Sequence, residues 1–200
     1  MNSSNLIRTS RHLSWLLRHG AIESELPMDG AGWCSIEALL ATTGISRSLL
    51  DAVVERNNKS RLQVDGARIR ASQGHSLAGT PVTLADLEAS WSEWRDATSI
   101  WHGTNSKVLA DIAHEGLLAQ GRTHVHLAES IESQVGKRSG VVLMLEIDPQ
   151  RVRDAGQTIY RSPNGVILVR HVPPACIVAL HPLSRRARRA APQLRDLLGL

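Results

Sequence analysis

Phenylalanine is absent and tyrosine occurs once, so five tryptophans must supply most of the aromatic surface of this 200-residue chain. Cysteine is almost as scarce. Cys34 and Cys176 stand far apart and fit neither a disulfide framework nor a metal knuckle, which points to a reducing, intracellular compartment. No basic N-terminal stretch leads into an apolar run, and no run approaches a membrane span, so a soluble cytoplasmic protein with no membrane partner is expected. Glycine-rich phosphate fingerprints, paired-carboxylate motifs and helical zinc motifs are all missing. His124 and His126 could ligate a metal, but no carboxylate or thiol completes the set at a usable spacing, so no metal is expected.

Excess charge is missing as well, except at one end. The formal charge of +4 resides entirely in the last twenty residues, where five arginines (Arg185, Arg186, Arg188, Arg189 and Arg195) face the single Asp196. The rest of the chain is neutral overall. A basic binding surface there has to come from local arrangement and not from bulk excess.

What is present is a hydrophobic content of 42%, enough for one large domain or two small ones. Leu13, Leu16 and Leu17 make one apolar helical stripe, and Gly20 offers the left-handed residue that commonly ends a helix. Arg18 and His19 then ride the last turn, where two cations also complement the negative end of the macrodipole. Ser35 caps a short helix closed by Gly44, and Ser46 caps a second over residues 47–57. Asp65-Gly66 lies between two short β-rich runs and predicts a tight hairpin. Three helices followed by a hairpin is the order of a winged helix. The hairpin's Arg61, Arg68 and Arg70, with Lys59 before them, fit phosphate contact and a charge-protected edge equally well.

Beyond residue 72, Thr83 or Asp86 starts a short helix expected to carry Trp91 and Trp94, and the boundary between lobes is expected before Ile100. Residues 100–104 read as a strand, and Asn105 caps a helix that Gly116 stops. His124 and His126 alternate with Val125 and Leu127, which places both imidazoles on one strand face. Residues 129–137 read as a weak helix, and 141–147 as a central strand stopped at Asp148-Pro149. The turn Pro163-Asn164-Gly165 precedes a strand over 166–169, with a further strand over 176–180. The second half lacks βαβ regularity, which argues against a doubly wound sheet. The last twenty residues read as a peripheral helix or tail.

Arginine and histidine beside glycine-containing turns suit an anionic substrate. The candidates are Arg18, His19, Arg61, Arg68, Arg70, His75, His102, Arg122, His126 and Arg138, and residue type does not choose among them. Both cysteines sit in apolar settings where a thiol is inert.

Seven pieces, in order, carry a resemblance: Leu16-Leu17-Arg18-His19, Gly32-Trp33, Asn58-Lys59-Ser60-Arg61, the run 69–76 from Ile69 to Ser76, Trp101-His102-Gly103-Thr104, the run 121–127 from Gly121 to Leu127, and Asn164-Gly165-Val166. Together they resemble the NAD-dependent RNA 2′-phosphotransferases, which include the tRNA 2′-phosphotransferases of tRNA splicing and processing. The resemblance implies an α+β chain: a winged-helix RNA-binding lobe with its connecting helix over 1–95, an ADP-ribosyltransferase-like, β-rich NAD-binding lobe over 96–182, and an Arg-rich segment over 183–200. It implies catalytic roles for Arg18, His19, Arg61 and Arg122, the last from the NAD lobe, and NAD contacts at His102, Gly103, Thr104, His126 and Val166. Lys59, Arg70, Gln73, His75, Ser76 and Arg138 are implied as further RNA contacts. The expected reaction uses NAD as co-substrate and no metal. The 2′-phosphate is ADP-ribosylated and then transferred to the neighbouring ribose hydroxyl, giving 2′-OH RNA, nicotinamide and ADP-ribose 1″,2″-cyclic phosphate. Two other readings stand beside it: an ADP-ribosyltransferase acting on nucleic-acid ends or another acceptor, and a winged-helix binder that only senses NAD. A monomer is expected. Trp101, Leu62, Ala128 and Ser139 depart from the residues the family often has at those places.

Overall fold

The computed structural model describes residues 3–56, 60–133 and 140–200. The chain divides into two compact units: residues up to Trp91 together with Gly121–Thr123, and Ser92–Gln120 together with His124–Leu200. The division falls a few residues before the expected one, and the short segment carrying Arg122 belongs with the first unit instead of the second.

In the first unit, helix α1 (Ser3–Trp15) buries Leu6 and Leu13 and runs directly into a π-helical stretch, Leu16–Gly20, that buries Leu16 and Leu17. Gly20 is not the left-handed cap the sequence implies. It is absent from the positive-φ glycines, and Ala21 after it is still right-handed at φ −63°. Its small size is used differently: a Cβ there would meet the Trp15 ring at 2.6 Å. The helix therefore widens by one residue per turn and does not end where expected.

Strand β1 (Cys34–Ser35) leads into helix α2 (Ile36–Thr43), capped by the Ser35 hydroxyl, which accepts from Ala38 N, and closed by left-handed Gly44. Helix α3 (Arg47–Glu55) is capped by Ser46, which accepts from Leu49 N. Strands β2 (Leu62–Asp65) and β3 (Arg68–Ala71) form the expected hairpin, with Gly66 at φ +56° in its turn. Strand β1 adds to β3 through Cys34 opposite Ile69, giving the order β1-β3-β2; two residues carry no period-2 signal, so this strand is invisible in the sequence. Helix α4 (Leu84–Ala89), capped by Thr83, is shorter than expected. It ends before Trp91 and Trp94, which instead anchor the two units separately: Trp91 Nε1 donates to Ser72 O at 3.2 Å, and Trp94 joins the second core. Leu13, Leu16, Leu17, Leu39, Leu50 and Ile69 are each at most 1% exposed, and burial of each such side chain stabilises the unit by about 1.5–3 kcal/mol.

The second unit opens with β4 (Ser92–Glu93) and β5 (Ile100–Thr104). Asn105 caps a 3-10 turn that leads into α5 (Leu109–Glu115), followed by β6 (Leu117–Leu118) and β7 (Val125–Leu127). Strand β8 (Leu143–Ile147) is central as expected, and helix α6 (Pro149–Asp154) comes straight after it. Asp148-Pro149 does stop the strand, but it also starts this helix. Asp148 accepts from Gln150 N at 2.7 Å and from Arg151 N at 3.2 Å, and proline at the first helical position lacks only an N–H that would have no partner. Then come β9 (Tyr160–Arg161), β10 (Ile167–Val169), β11 (His171–Val172), β12 (Ile177–Pro182) and helix α7 (Arg185–Leu198). All pairings are antiparallel, in the orders β12-β8-β5, β4-β9-β10-β7 and β11-β6. The described part of the expected helix 129–137 is a turn closed by Ser130 and Ser133; the remainder lies outside the described residues. No described helix is long and apolar enough to cross a membrane.

Asp148→Ala removes the cap of α6 and is expected to lower stability by about 1 kcal/mol in urea unfolding, with the slope of the transition unchanged.

Candidate active site

Arg18 and His19 sit in the π-helical stretch. The wide turn presents Arg18 O to a neighbouring segment, which fills it: Ser76 N donates to Arg18 O at 2.9 Å and the Ser76 hydroxyl donates to the same oxygen at 3.3 Å. With its one proton committed there, Ser76 Oγ accepts from His19 Nδ1 at 3.2 Å. That pairing fixes the ring and leaves Nε2 as the atom that exchanges a proton with a ligand. Gly79 lies under the same turn. A Cβ at Gly79 would stand 1.9 Å from His19 O, and Gly79 O accepts from Ile22 N at 3.1 Å. No sequence signal singled out Gly79; it is one glycine among fifteen until the backbone beside it is known.

The same segment, residues 72–80, reaches the other two arginines. Ser72 N donates to Arg61 O at 2.8 Å and Ser72 Oγ donates to Ser60 O at 2.8 Å, while Thr123 N donates to His75 O at 3.0 Å and so ties down the residue next to Arg122. Left-handed non-glycine residues precede both, Ser60 at φ +43° directly before Arg61 and Gln120 at φ +56° two residues before Arg122. Each such residue costs about 1 kcal/mol, so both turns are held by their surroundings.

Electrostatics show how closely the four groups gather. The Arg18 guanidinium is pushed down to about 10, by burial first and then by repulsion from Arg122 and Arg61. His19 is lowered by burial, then by Arg122 and Arg18. Arg18 Nε and Nη2 are out of water and have no hydrogen-bond partner, an expensive state for a guanidinium. Three arginines and one histidine thus converge within the first unit, with the most buried of them short of acceptors. Such a cluster can bind a multiply charged anion in a fixed orientation.

Of the further candidates, Arg70 is 3% exposed and already engaged. It donates to Gln63 Oε1 at 2.9 Å, Ala31 O at 3.1 Å and Ser90 Oγ at 2.7 Å, and lies 4.6 Å from the centre of the Trp33 ring. That makes it a strut between the hairpin and two loops in place of a phosphate ligand. Gln73 is buried too, and Ser76 acts through Arg18 and His19. His75 is fully buried, with neither ring nitrogen hydrogen-bonded, and is pushed down to about 3 by desolvation and by Arg18, Arg70 and His19 in that order. A Cβ on Gly32, which has φ +83°, would meet its Nε2 at 2.7 Å, so the ring is sealed against the Gly32-Trp33 turn. Burial of a polar-looking run is what sequence could not show. Lys59 and Arg138 lie outside the described residues.

The second unit holds the other group. His102 and Gly103 are on β5, with Thr104 at its end, and His126 is on β7. His102 Nδ1 donates to His126 O at 3.2 Å, which orients the His102 ring and leaves the lone pair of the neutral form on Nε2. Trp101 and Ala128 exchange backbone hydrogen bonds at 2.9 and 2.8 Å, joining the strands that carry these histidines. Val166 is buried and its N–H donates to Ser162 Oγ at 3.1 Å, fixing the turn around Asn164. Of the histidine pair only His126 lies within β7, where it is half-buried, whereas His124 precedes the strand, is 1% exposed and packs edge-on to Tyr160. Cys34 is buried and its thiol is pushed up to about 12, in keeping with an inert role. Among the described residues no group of three His, Cys, Asp or Glu side chains is gathered for a metal.

The sequence pattern of the family described as "RNA 2′-phosphotransferase, Tpt1 / KptA family" matches residues 4–171. The chain belongs to this family. Similar proteins include a probable RNA 2′-phosphotransferase of Pseudomonas aeruginosa, 38% identical in an alignment that covers 86% of this chain and 96% of that protein. Proteins of the same description from Rhodopirellula baltica, 38% identical over 84% of this chain and 93% of theirs, and from Acaryochloris marina, 37% identical over 82% and 91%, agree with it. The family match spans Arg18, His19, Arg61, Arg122 and the five second-unit residues, and stops before α7.

Two outcomes follow from the geometry. Gly79→Ala forces the His19 backbone to move, with an expected loss of about 1–3 kcal/mol in stability together with weakened anion binding. Gly44→Ala, in a left-handed cap with nothing within 4 Å of its Cβ, is the matched comparison and should lose stability without affecting the anion. For His75, the unfolded chain takes up a proton below 6.5 that the native ring refuses until about 3. Its contribution therefore makes stability fall as pH drops through that window, by up to about 1.4 kcal/mol per pH unit. His75→Asn should be less stable near neutrality yet show a shallower acid decline in denaturant titrations at about pH 7 and pH 5.

Proposed function

We propose that this chain removes an internal 2′-phosphate from RNA with NAD as co-substrate. The observation that carries the reading is the Arg18 guanidinium, buried and without hydrogen-bond acceptors at Nε and Nη2, pressed by Arg61 and Arg122 and adjacent to His19. A phosphate dianion supplies the acceptors that Arg18 Nε and Nη2 lack, together with opposite charge. Membership of the RNA 2′-phosphotransferase family supports RNA as the carrier of that phosphate. On this reading the helices and hairpin of the first unit form a winged-helix RNA lobe, and the β-rich second unit is an ADP-ribosyltransferase-like NAD lobe.

His102, Gly103, Thr104, His126 and Val166 would hold NAD. The His102 ring, oriented by its hydrogen bond to His126 O on β7, suits that task. NAD supplies the ribose carbon that accepts the phosphate as nicotinamide leaves, and the neighbouring ribose hydroxyl that afterwards releases 2′-OH RNA and a cyclic phosphate of ADP-ribose. The residues of the chain do the rest. Arg18, Arg61 and Arg122 hold the phosphate oxygens and stabilise the charge that builds on phosphorus during transfer. His19 Nε2 gives its proton to the departing 2′ oxygen of the RNA. Burial and then repulsion from Arg122 and Arg18 lower His19 in the free protein, and a bound phosphate offsets the repulsion and so favours the charged acid.

The test is an oligonucleotide with one internal 2′-phosphate, incubated with and without NAD. Loss of the phosphate and formation of the cyclic ADP-ribose phosphate, both only with NAD, are expected; an inert substrate in the presence of NAD overturns the reading. Arg61→Ala should reduce turnover by about a hundredfold or more, or accumulate the ADP-ribosylated RNA, with an unchanged unfolding midpoint. In wild type, activity should fall as pH rises through the pKa of His19, and that limb should lie at higher pH in kcat than in kcat/KM.

A further inference from the structure

Helix α7 begins after the family match has ended, and nothing in the proposed chemistry uses it. Its inner side is fully employed. Ala187 and Ala191 are buried, Leu194 and Leu198 pack on the second unit's core, and Arg195 Nη2 donates to Leu180 O at 3.2 Å. At about 100° per residue these apolar positions form one stripe, and Arg185, Arg186, Arg188 and Arg189 fall on the other side of the helix. All four are exposed. Among the described residues none of them has an ion-pair partner, and Asp196, the one acid of the helix, lies about 10 Å along the axis from Arg189.

The placement runs against helix physics. Four cations occupy the first turns, where the macrodipole already presents positive charge, and no acid is present in the first turn to offset them. Each repels its neighbours and the helix end, so the cluster contributes nothing to holding α7 in place. The Ser184 hydroxyl, which accepts from Ala187 N, and the apolar stripe do that. Arg185, Arg186 and Arg189, with Ala190 and Gln193, also line an open hollow of about 660 Å³. A cationic hollow on a firmly docked helix, disfavoured without a counter-charge, is a binding surface for something anionic.

We propose that this face of α7 binds the phosphodiester backbone of the RNA substrate, outside the 2′-phosphate site. The inference rests on the RNA reading of the family and extends it to a second site. A lipid surface fits less well: an interfacial helix inserts its apolar side, and in α7 that side is already packed against the protein. Backbone phosphates need only fixed cations. Arg185 to Arg189 spans about 6 Å of helix axis, within reach of neighbouring phosphates for side chains as long as arginine. The contact carries no sequence information, because all four side chains meet phosphate and no aromatic residue stands among them to stack on a base.

The test compares the full-length wild type with the fourfold variant R185Q/R186Q/R188Q/R189Q. Binding of single-stranded RNA without any 2′-phosphate is measured by anisotropy across a salt series. The wild type should bind more tightly, and the slope of log K against log salt should become shallower in the variant by up to about 3, four contacts at about 0.7 each. With 2′-phosphorylated substrates of increasing length, kcat/KM of the variant should fall behind wild type progressively as the RNA lengthens. The unfolding midpoint of the variant should be equal or higher, because the arginines oppose the helix dipole; a structural role would lower it. Equal RNA affinity and equal salt slopes in the two proteins overturn the proposal, as does a loss of affinity for phosphatidylserine vesicles with RNA binding unchanged. Should the wild type bind plain RNA through α7 yet leave 2′-phosphates intact, the catalytic reading fails while this surface stands.

Discussion

Arg18 carries its charge where water does not reach part of it, and the charges that act on it most are two more arginines. The depression from 12.5 to about 10 corresponds to about 3 kcal/mol of unfavourable environment. Such an arrangement persists only if other interactions hold each cation in place without neutralising it. Residues 72–80 do so. Through Ser72 they hold the turn into Arg61, through His75 O the turn after Arg122, and through Ser76 and Gly79 the wide turn that carries Arg18 and His19. These are hydrogen bonds of about 1 kcal/mol each, and together they outweigh the electrostatic cost.

One continuous segment setting three separate pieces of chain is what makes the cluster a site. Its hydrogen bonds go almost wholly to backbone atoms, and Nε and Nη2 of Arg18 remain without an acceptor. Arg70 gives the contrast within the same unit. It is as cationic as Arg18 but engaged by Gln63, Ala31 and Ser90 and stacked on Trp33, and it stiffens the hairpin. His75 and His19 divide in the same way. The first is sealed and neutral; the second keeps one nitrogen fixed by Ser76 and the other for exchange. Two residues of one type thus differ in commitment, one sealed in packing and the other held by a single hydrogen bond.

The sequence made the local devices legible wherever a single residue decides them. Ser35, Ser46, Thr83 and Asn105 cap helices as read, Gly44 and Gly66 take left-handed backbone, and the run 141–147 contains the central strand. It failed where neighbours distant in sequence decide. Gly20 looked like a cap, but its backbone is right-handed and its size answers to Trp15. Gly79 looked like nothing, because the backbone it touches is sixty residues earlier. Asp148-Pro149 is both a strand stop and a helix start, and a stop alone was read. The candidate residues were legible as a set through their resemblance to a family. Telling the buried, hydrogen-bonded Arg70 from the acceptor-poor Arg18 required burial and partners, which no pattern of residue types contains.

The two arginine clusters of the chain illustrate how the same charge is managed at different cost. Arg18, Arg61 and Arg122 are gathered partly out of water, where burial and the other two arginines lower the affinity of Arg18 for its proton and an anion restores the balance with a large, directional gain. The arginines of α7 stand in solvent, where repulsion is screened and each contact with phosphate is worth little alone. The first arrangement suits one dianion held in a single orientation for chemistry. The second suits a flexible polyanion that must be gripped and released, and it sits on a helix whose folding owes nothing to it. A chain that is neutral over nine-tenths of its length can therefore handle a highly charged substrate by concentrating precision in one place and bulk attraction in another.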